Sequence, residues 1–328
     1  MSEVRAKKAL GQHFLVDLNI ARKICDALSG GERPGAGAET RANAAGYAGA
    51  GAETRTKATG TADADAETRR GVAASADARL AADTTAAGAP AAAEEERGGA
   101  VPCDVLEVGC GMGVLTQYLL RRGDITTYGA EIDPESVGYL HAHFPEFAPR
   151  LIEGDFLKMN LRERFPRGLK IIGNFPYNIS SQIFFKVLEH RDLVPECVGM
   201  IQKEVAVRIA EPPGSKEYGI LSVLLQAWYD IEYLFTVNET VFNPPPKVKS
   251  AVIRLRRNCV GRLGCDEALF VKVVKASFGQ RRKMIRNSLR AVFGDFGGAE
   301  HPFFTQRAEQ LSVADFVQLT DWVAANRR

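Results

Sequence analysis

The sequence has no C-x-x-C pair. Its six cysteines stand at 25, 103, 110, 197, 259 and 265, and none of its five histidines falls at a spacing suited to zinc. A zinc-stabilised fold is thereby excluded, no metal site is expected, and the cysteines read as reduced, mostly buried thiols. No apolar run approaches the roughly 18 residues needed to cross a bilayer, and the first residues carry no apolar core of a secretion signal. A cytoplasmic protein with no membrane partner is the expectation. Overall charge excess is also missing, since 42 Lys and Arg oppose 40 Asp and Glu for a formal +2. The balance is uneven, however: residues 247–290 hold thirteen Lys or Arg against two acids, Asp266 and Glu267. A local field of that sign fits a polyanionic partner.

Large apolar side chains are missing from residues 31–100, where twenty-five Ala and eleven Gly fill half of seventy positions and only Tyr47, Val72 and Leu80 are large and apolar. Such a segment cannot bury enough surface to offset its ordering entropy. It also repeats with a period of fourteen: GAGAETR at 35–41 recurs at 49–55, and AETR returns in register at 66–69. A unit of that length without an apolar face does not stack into a solenoid, so a disordered low-complexity insertion is expected.

The rest of the chain is a series of short apolar runs, each ending in residues with a chemical use. Residues 104–108 read as a buried strand, followed by the turn Gly109-Cys110-Gly111-Met112-Gly113 and a helix over 114–120. Glycines let the backbone bend tightly and approach a ligand, and a helix N-terminus offers unpaired N–H groups. Several nucleotide-binding folds share this strand-GxGxG-helix pattern. The second strand, 125–130, ends at Glu131, whose carboxylate can accept from both hydroxyls of a ribose. A third run, Leu151-Ile152, ends at Gly154-Asp155, a candidate acceptor for an adenine amino group. Either acid could instead cap a helix or a turn.

The fourth run, 169–172, ends in GNFPYNIS at 173–180. The Asn174 side-chain carbonyl and a main-chain carbonyl held by Pro176 make two acceptors for an exocyclic amine, and Tyr177 can stack on the base that carries it. An Asn-Pro turn with Tyr177 packing is the plainer alternative. Ligands bind at this carboxyl edge in open α/β sheets. A GxGxG turn ahead of an acid and NFPY fits S-adenosylmethionine better than a dinucleotide, which would favour GxGxxG.

Further along, strands are expected at 197–201, 229–237 and 250–255, and helices at 180–188, 205–209 and 218–228. Phe242 precedes Pro244, Pro245, Pro246 and Lys247. This rigid loop could hold Phe242 over a flipped base or pack it into the core. A helix is expected over 268–278. The stretch FGQRRKMIRNSL then sets Arg281, Arg282, Lys283 and Arg286 within six positions, read as a basic helix for RNA phosphates.

Taken in order, KKALGQHFL, LEVGCGMGVLT, EIDPE, EGDF, GNFPYNIS, NPPPKVKSAVIRL and FGQRRKMIRNSL closely resemble the ribosomal RNA adenine N6-dimethyltransferases of the KsgA type. The resemblance covers residues 7–29 and 101–328. It implies an α/β fold: a Rossmann-like S-adenosylmethionine-dependent methyltransferase sheet with helices on both faces, plus a small C-terminal all-helical domain. The chain divides accordingly into an N-terminal motif and first helix (1–30), the insertion (31–100), the methyltransferase domain (101–256, with 1–30) and an RNA-contacting helical domain (257–328). Cofactor contacts are implied at His13, Leu15, Gly109, Gly111, Glu131, Asp155 and Asn174. Asn174, the Pro176 carbonyl and Tyr177 would align the amine, and alignment would supply most of the catalysis. RNA contacts would come from Tyr177, Phe242, Lys247, Arg281, Arg282, Lys283 and Arg286.

The implied activity is N6-dimethylation of two adjacent adenosines in the 3′-terminal hairpin of 16S small-subunit rRNA, carried out on the immature 30S particle by a monomer. Cys110, His13 and Phe175 stand where the family more often has Pro, Asn and Leu. Rival readings are a large-subunit methyltransferase of the macrolide-resistance type, a DNA adenine methyltransferase, and a non-catalytic ribosome assembly factor. Deleting residues 35–98 should leave melting temperature and methyl transfer to small subunits near those of the parent; a cooperative loss of several degrees would show that the segment is an ordered element.

Overall fold

In the computed structural model of the protein, residues 4, 6, 7, 10–30 and 102–327 are described. The expectation for residues 31–100 lies outside them. The chain runs through β1 (Phe14–Leu15), α1 (Leu18–Asp26), β2 (Cys103–Val108), α2 (Thr116–Leu119), β3 (Ile125–Glu131), α3 (Pro134–His143), β4 (Leu151–Glu153) and α4 (Leu161–Arg164). It continues through β5 (Lys170–Asn174), α5 (Ser180–Glu189), β6 (Glu196–Gln202), α6 (Lys203–Ala210), α7 (Ile220–Gln226), β7 (Tyr229–Val237), β8 (Phe242–Asn243) and β9 (Ser250–Arg257). Three longer helices follow: α8 (Glu267–Gly279), α9 (Ile285–Phe293) and α10 (Val313–Asn326).

Seven strands form one sheet in the order β4-β3-β2-β5-β6-β9-β7, and β1 pairs with β8 in a separate two-stranded ribbon. Strands β2 to β6 are parallel, whereas β9 runs antiparallel to both of its neighbours. Parallel strands buried on both faces need largely apolar sequence, which the runs in β2, β5 and β6 supply with Glu107, Lys170 and Glu196 as buried exceptions. From β2 the sheet grows one way through β3 and β4 and the other way through β5 and β6. A crevice therefore opens between the carboxyl ends of β2 and β5, beneath the glycine turn and the NFPY loop.

Phe175 shows how the loop leaving β5 is seated. Its ring is 1% exposed, meets Phe184 edge-on at 5.8 Å, and lies over two glycines. A Cβ on Gly173 would stand 2.8 Å from that ring, and one on Gly199 of β6 only 2.5 Å. The larger Phe in place of Leu is thus matched by empty space on two adjacent strands.

At the opposite edge, Lys170 and Glu196 form a buried ion pair at 3.3 Å, each side chain 4% exposed. Lys170 donates to the carbonyls of Ser29 and Gly30 and to the Ser29 hydroxyl, while Ser29 donates to Glu196. Arg122 adds bonds to the carbonyls of Cys25, Leu28 and Ser29. The chain is therefore clamped, just after α1, to the amino ends of β5 and β6.

The C-terminal helices share one apolar cluster with the sheet, in which Leu106 and Ile171 join Phe270, Phe316 and Leu319. Two expected helices are shorter than their sequence pattern. Residues 218–228 are helical only from Ile220 to Gln226, and residues 114–115 lie in turns ahead of α2. The expected basic helix is broken: α8 ends at Gly279, residues 280–284 form a turn, and α9 starts at Ile285. Four of the six cysteines are buried, Cys265 is half-buried and Cys259 exposed. Among the described residues no helix is long and apolar enough to cross a membrane, and no group of three or more His, Cys, Asp or Glu is placed to hold a metal.

Gly199→Ala should lower stability by about 1–3 kcal/mol, because a fully buried ring must shift to admit the methyl group. Urea unfolding checks this, and an unchanged midpoint would mean that the Phe175 nest has slack.

Candidate active site

The carboxyl ends of β2, β3, β4 and β5 each deliver one element of a cavity of about 200 Å³. After β2, Gly109, Gly111 and Gly113 take φ of 76°, 52° and 74°, values that strain any residue with a Cβ. This turn is tied to β3 through Glu131, which is 4% exposed. Its Oε2 accepts from the Gly111 N–H at 2.8 Å, and Oε1 accepts from the N–H groups of Ile132 and Asp133 at 2.9 Å each. Burial pushes the Glu131 carboxyl upward and the three N–H donors hold it back. Three convergent donors are the surroundings of an ionised carboxylate.

A second carboxyl, which the motif reading passed over, lies beside it. Glu107 in β2 is 1% exposed, and its Oε2 accepts from the Thr116 hydroxyl at 2.6 Å. Burial pushes it up to about 8, and the nearby Glu131 charge adds to the rise. The signal was legible in LEVGC, where an acid interrupts a run that is otherwise fully buried. Asp155, after β4, spends Oδ1 on the Leu157 N–H at 2.9 Å, capping a short helical turn. Its capping role and its place on the cavity wall coexist.

The NFPY loop closes the other side. Asn174 donates from Nδ2 to the His13 carbonyl at 2.9 Å. The Pro176 carbonyl already accepts from the Ile179 N–H at 3.1 Å, which leaves it one lone pair, whereas no bond to the Phe175 carbonyl is made among the described residues. Tyr177 is half-buried, its hydroxyl lies 2.5 Å from the Ser250 Oγ, and its ring tilts against His13 with centroids 5.3 Å apart. Burial raises its phenol above the ordinary value.

Lys7 and residues 10–15 form a strap across the cleft. Lys7 Nζ donates to Asp133 and stands 3.0 Å from Glu135, and the Gln12 amide donates to Asp133 at 3.3 Å. Burial alone would raise the Asp133 carboxyl, yet these bonds and the Glu135 N–H bring it below the usual range. The strap then passes Asn178 at Gly11, Asn174 at His13, and β8 through the β1 pairing.

His13, Leu15, Gly109, Gly111, Glu131, Asp155, Asn174, Pro176 and Tyr177 all line the cavity. Phe242, considered as a ring that closes over a base, does not. It is 3% exposed, pairs with Leu15, and packs in the second apolar cluster, so the rigid proline loop serves to bury it. Lys247, Arg281, Arg282, Lys283 and Arg286 lie outside the cavity wall. Arg281 donates to the carbonyls of Lys216 and Tyr218, and Arg286 pairs with Glu300. Arg282, Lys283 and Lys247 are exposed.

A family model described as ribosomal RNA adenine dimethylase matches residues 102–325. The chain is 47% identical over 322 residues to the ribosomal RNA small subunit methyltransferase A of Parabacteroides distasonis, covering 98% of this chain and 94% of that one. It is 59% identical over 221 residues to the protein of the same name from Bacteroides thetaiotaomicron, covering 67% and 82%. A solved dimethyladenosine transferase from Plasmodium falciparum is similar at 26% identity with a TM-score of 0.57, over 68% of this chain and 90% of that one.

The Glu107 carboxyl makes stability depend on pH. The folded protein keeps this proton up to about pH 8, whereas an unfolded glutamate releases it near about 4.3, so the stabilisation is complete at low pH and drains away as pH rises toward 8. Glu107→Gln, which keeps an acceptor for Thr116, should show a smaller loss of unfolding free energy between about pH 5 and 8 than the parent. Parallel curves in a denaturant series would contradict this.

Proposed function

The chain belongs to the ribosomal RNA adenine dimethylase family, and from that premise we propose that it dimethylates N6 of two adjacent adenosines in the 3′-terminal hairpin of 16S rRNA. It acts in the cytoplasm as a monomer, on the immature 30S particle. The observation that carries this is one cavity whose wall brings together the Glu131 and Asp155 carboxyls and the Asn174 amide. Those are acceptors for a nucleoside at one end and for an exocyclic amine at the other.

The donor set fits S-adenosylmethionine. Among the described residues Glu131 and Asp155 line the cavity beside the protonated Glu107 and no Lys or Arg does, which suits a cationic ligand better than a pyrophosphate. Glu131 would hold the ribose, Asp155 the adenine amino group, and the glycine turn the amino-acid tail. When bound, this cofactor supplies an electrophilic methyl group already activated by its sulfonium. The protein's task is then alignment. Asn174 Oδ1 accepts from the target amine, a loop carbonyl offers the second acceptor, and Tyr177 stacks on the base. No general base of high strength is needed. Of the two loop carbonyls, that of Phe175 has both lone pairs open while that of Pro176 has one.

Outside the cavity, the turn at 280–284 presents Arg282 and Lys283 to phosphates, with Lys247 as a further contact. Arg281 serves mainly to tie this turn to the loop before α7, through the carbonyls of Lys216 and Tyr218. The small-subunit target is favoured over the large-subunit one by the names of the relatives. A non-catalytic assembly role is disfavoured by the intact acceptors around the cavity.

Asn174→Ala should abolish methyl transfer while leaving small-subunit binding nearly intact. The double variant Arg282→Ala, Lys283→Ala should weaken subunit binding and flatten its log–log salt slope by roughly 0.7–0.9 per lost phosphate contact. Cofactor affinity should not move in the double variant. A salt slope equal to the parent's would remove the turn from the RNA interface.

A further inference from the structure

The strap does more than cover the cleft. It touches both ends of the proposed reaction site, and one of its contacts decides how the catalytic amide is turned. Asn174 has one donor group and one acceptor oxygen at the tip of its side chain, and a rotation of half a turn would exchange them. Only the acceptor oxygen can grip an amine. The His13 carbonyl takes the Nδ2 hydrogen at 2.9 Å, and a carbonyl cannot bond Oδ1, so this contact permits one orientation and leaves Oδ1 open.

The His13 carbonyl is itself placed by the strap's attachments. On one side, Lys7 and Gln12 are bound to Asp133, whose side chain is wholly buried and which directly follows the Glu131 turn. The Lys7 N–H also donates to Gln12 Oε1 at 2.8 Å, and the N–H of Gln12 reaches the Lys7 carbonyl at 3.4 Å, tying these two residues together. On the other side, Gly11 at φ 63° lies so close to Asn178 that a Cβ would stand 2.5 Å from its Oδ1.

We propose that Lys7 is a positioning residue for methyl transfer: its latch to Asp133 seats the strap so that the His13 carbonyl holds the Asn174 oxygen toward the target amine. This rests on the function proposed above, in which Asn174 Oδ1 is the amine acceptor. It adds a consequence specific to dimethylation. Unmodified adenine offers two N–H groups at N6 and the monomethylated base only one. The second transfer has half the grip and depends more steeply on a correctly turned Oδ1. Loosening the strap therefore hurts the second methylation more than the first.

The test uses the full-length protein and immature small subunits with labelled cofactor, comparing Lys7→Met, Lys7→Arg and Gly11→Ala with the parent. Lys7→Met should lower kcat about tenfold, since misalignment of reacting groups acts on the rate. The ratio of monomethyl- to dimethyladenosine at equal turnover should rise, with subunit affinity unchanged. Lys7→Arg, which keeps the ion pair, should restore both, and Gly11→Ala, which displaces the strap from the other side, should show the same product shift. Independently of turnover, the Asn174 side-chain amide signal in cofactor-free protein, assigned from Asn174→Asp, should exchange with water faster in Lys7→Met. An unchanged product ratio with unchanged amide exchange would overturn the proposal, as would weakened subunit binding with a shallower salt slope, which would make Lys7 an RNA contact. If Asn174→Ala stays active, the acceptor assignment itself has failed. If Asn174→Ala is inactive and Lys7→Met behaves like the parent, only the latch has failed.

Discussion

Three backbone N–H groups converging on the Glu131 carboxylate are the constraint on which the site depends. A buried carboxylate is costly unless hydrogen-bonded, and here its donors come from the glycine turn after β2 and from the two residues that follow β3. One charge thus holds two strand ends in register. The same turn carries Asp133, which caps α3 through Glu135 and receives Lys7 and Gln12. From there the strap runs to His13 and on to Asn174. Hydrogen bonds and the strap's main chain together link Glu131 at one end of the cavity to Asn174 at the other.

The two edges of the sheet are built differently because they do different work. At the carboxyl edge, loops with glycines and unused acceptors leave room for ligands. At the amino edge, Lys170 and Glu196 bury their charges against Ser29 and each other. Removing one partner from such a pair leaves an uncompensated buried charge, so the edge is fixed. The chain enters residues 31–100 directly after Gly30, whose carbonyl is one of the bonds in that clamp. It rejoins the described fold at the start of β2, whose strand runs away from that edge toward the cleft. The clamp holds Ser29 and Gly30 and the latch holds Lys7 and Gln12.

The basic surface follows a similar economy. Four cations crowd the stretch after α8, but they are not equivalent. Arg281, though exposed, donates to two main-chain carbonyls, and the half-buried Arg286 pairs with Glu300. Arg282 and Lys283 stay exposed. Cations already committed to protein partners release fewer counterions on binding a polyanion, so phosphate affinity should concentrate on the exposed pair.

The sequence by itself determined the strands and the order of the polar residues at their ends, which line one cavity, because each is local. An apolar run of strand length, stopped by Gly, Glu, Asp or Asn, states its own boundary and its own chemistry. Leu106 through Val108 with the glycine turn, Glu131, Asp155 and Asn174 could all be read from fewer than ten residues each. Tertiary structure decided whatever depended on residues far apart in the chain. Lys7 meets Asp133 across 126 positions and His13 meets Asn174 across 161, so the strap's path had no local signature. Phe242 could be read equally as a lid or as core, and pairing with Leu15 settled it as core. The basic segment has helical spacing, yet its middle is a turn: the Ile285 N–H bonds to the Gln306 carbonyl instead of to a preceding helical turn, and the Arg281 guanidinium ties the turn to the carbonyls of Lys216 and Tyr218. Propensity is worth tenths of a kcal/mol per residue, and long-range hydrogen bonds and burial outweigh it.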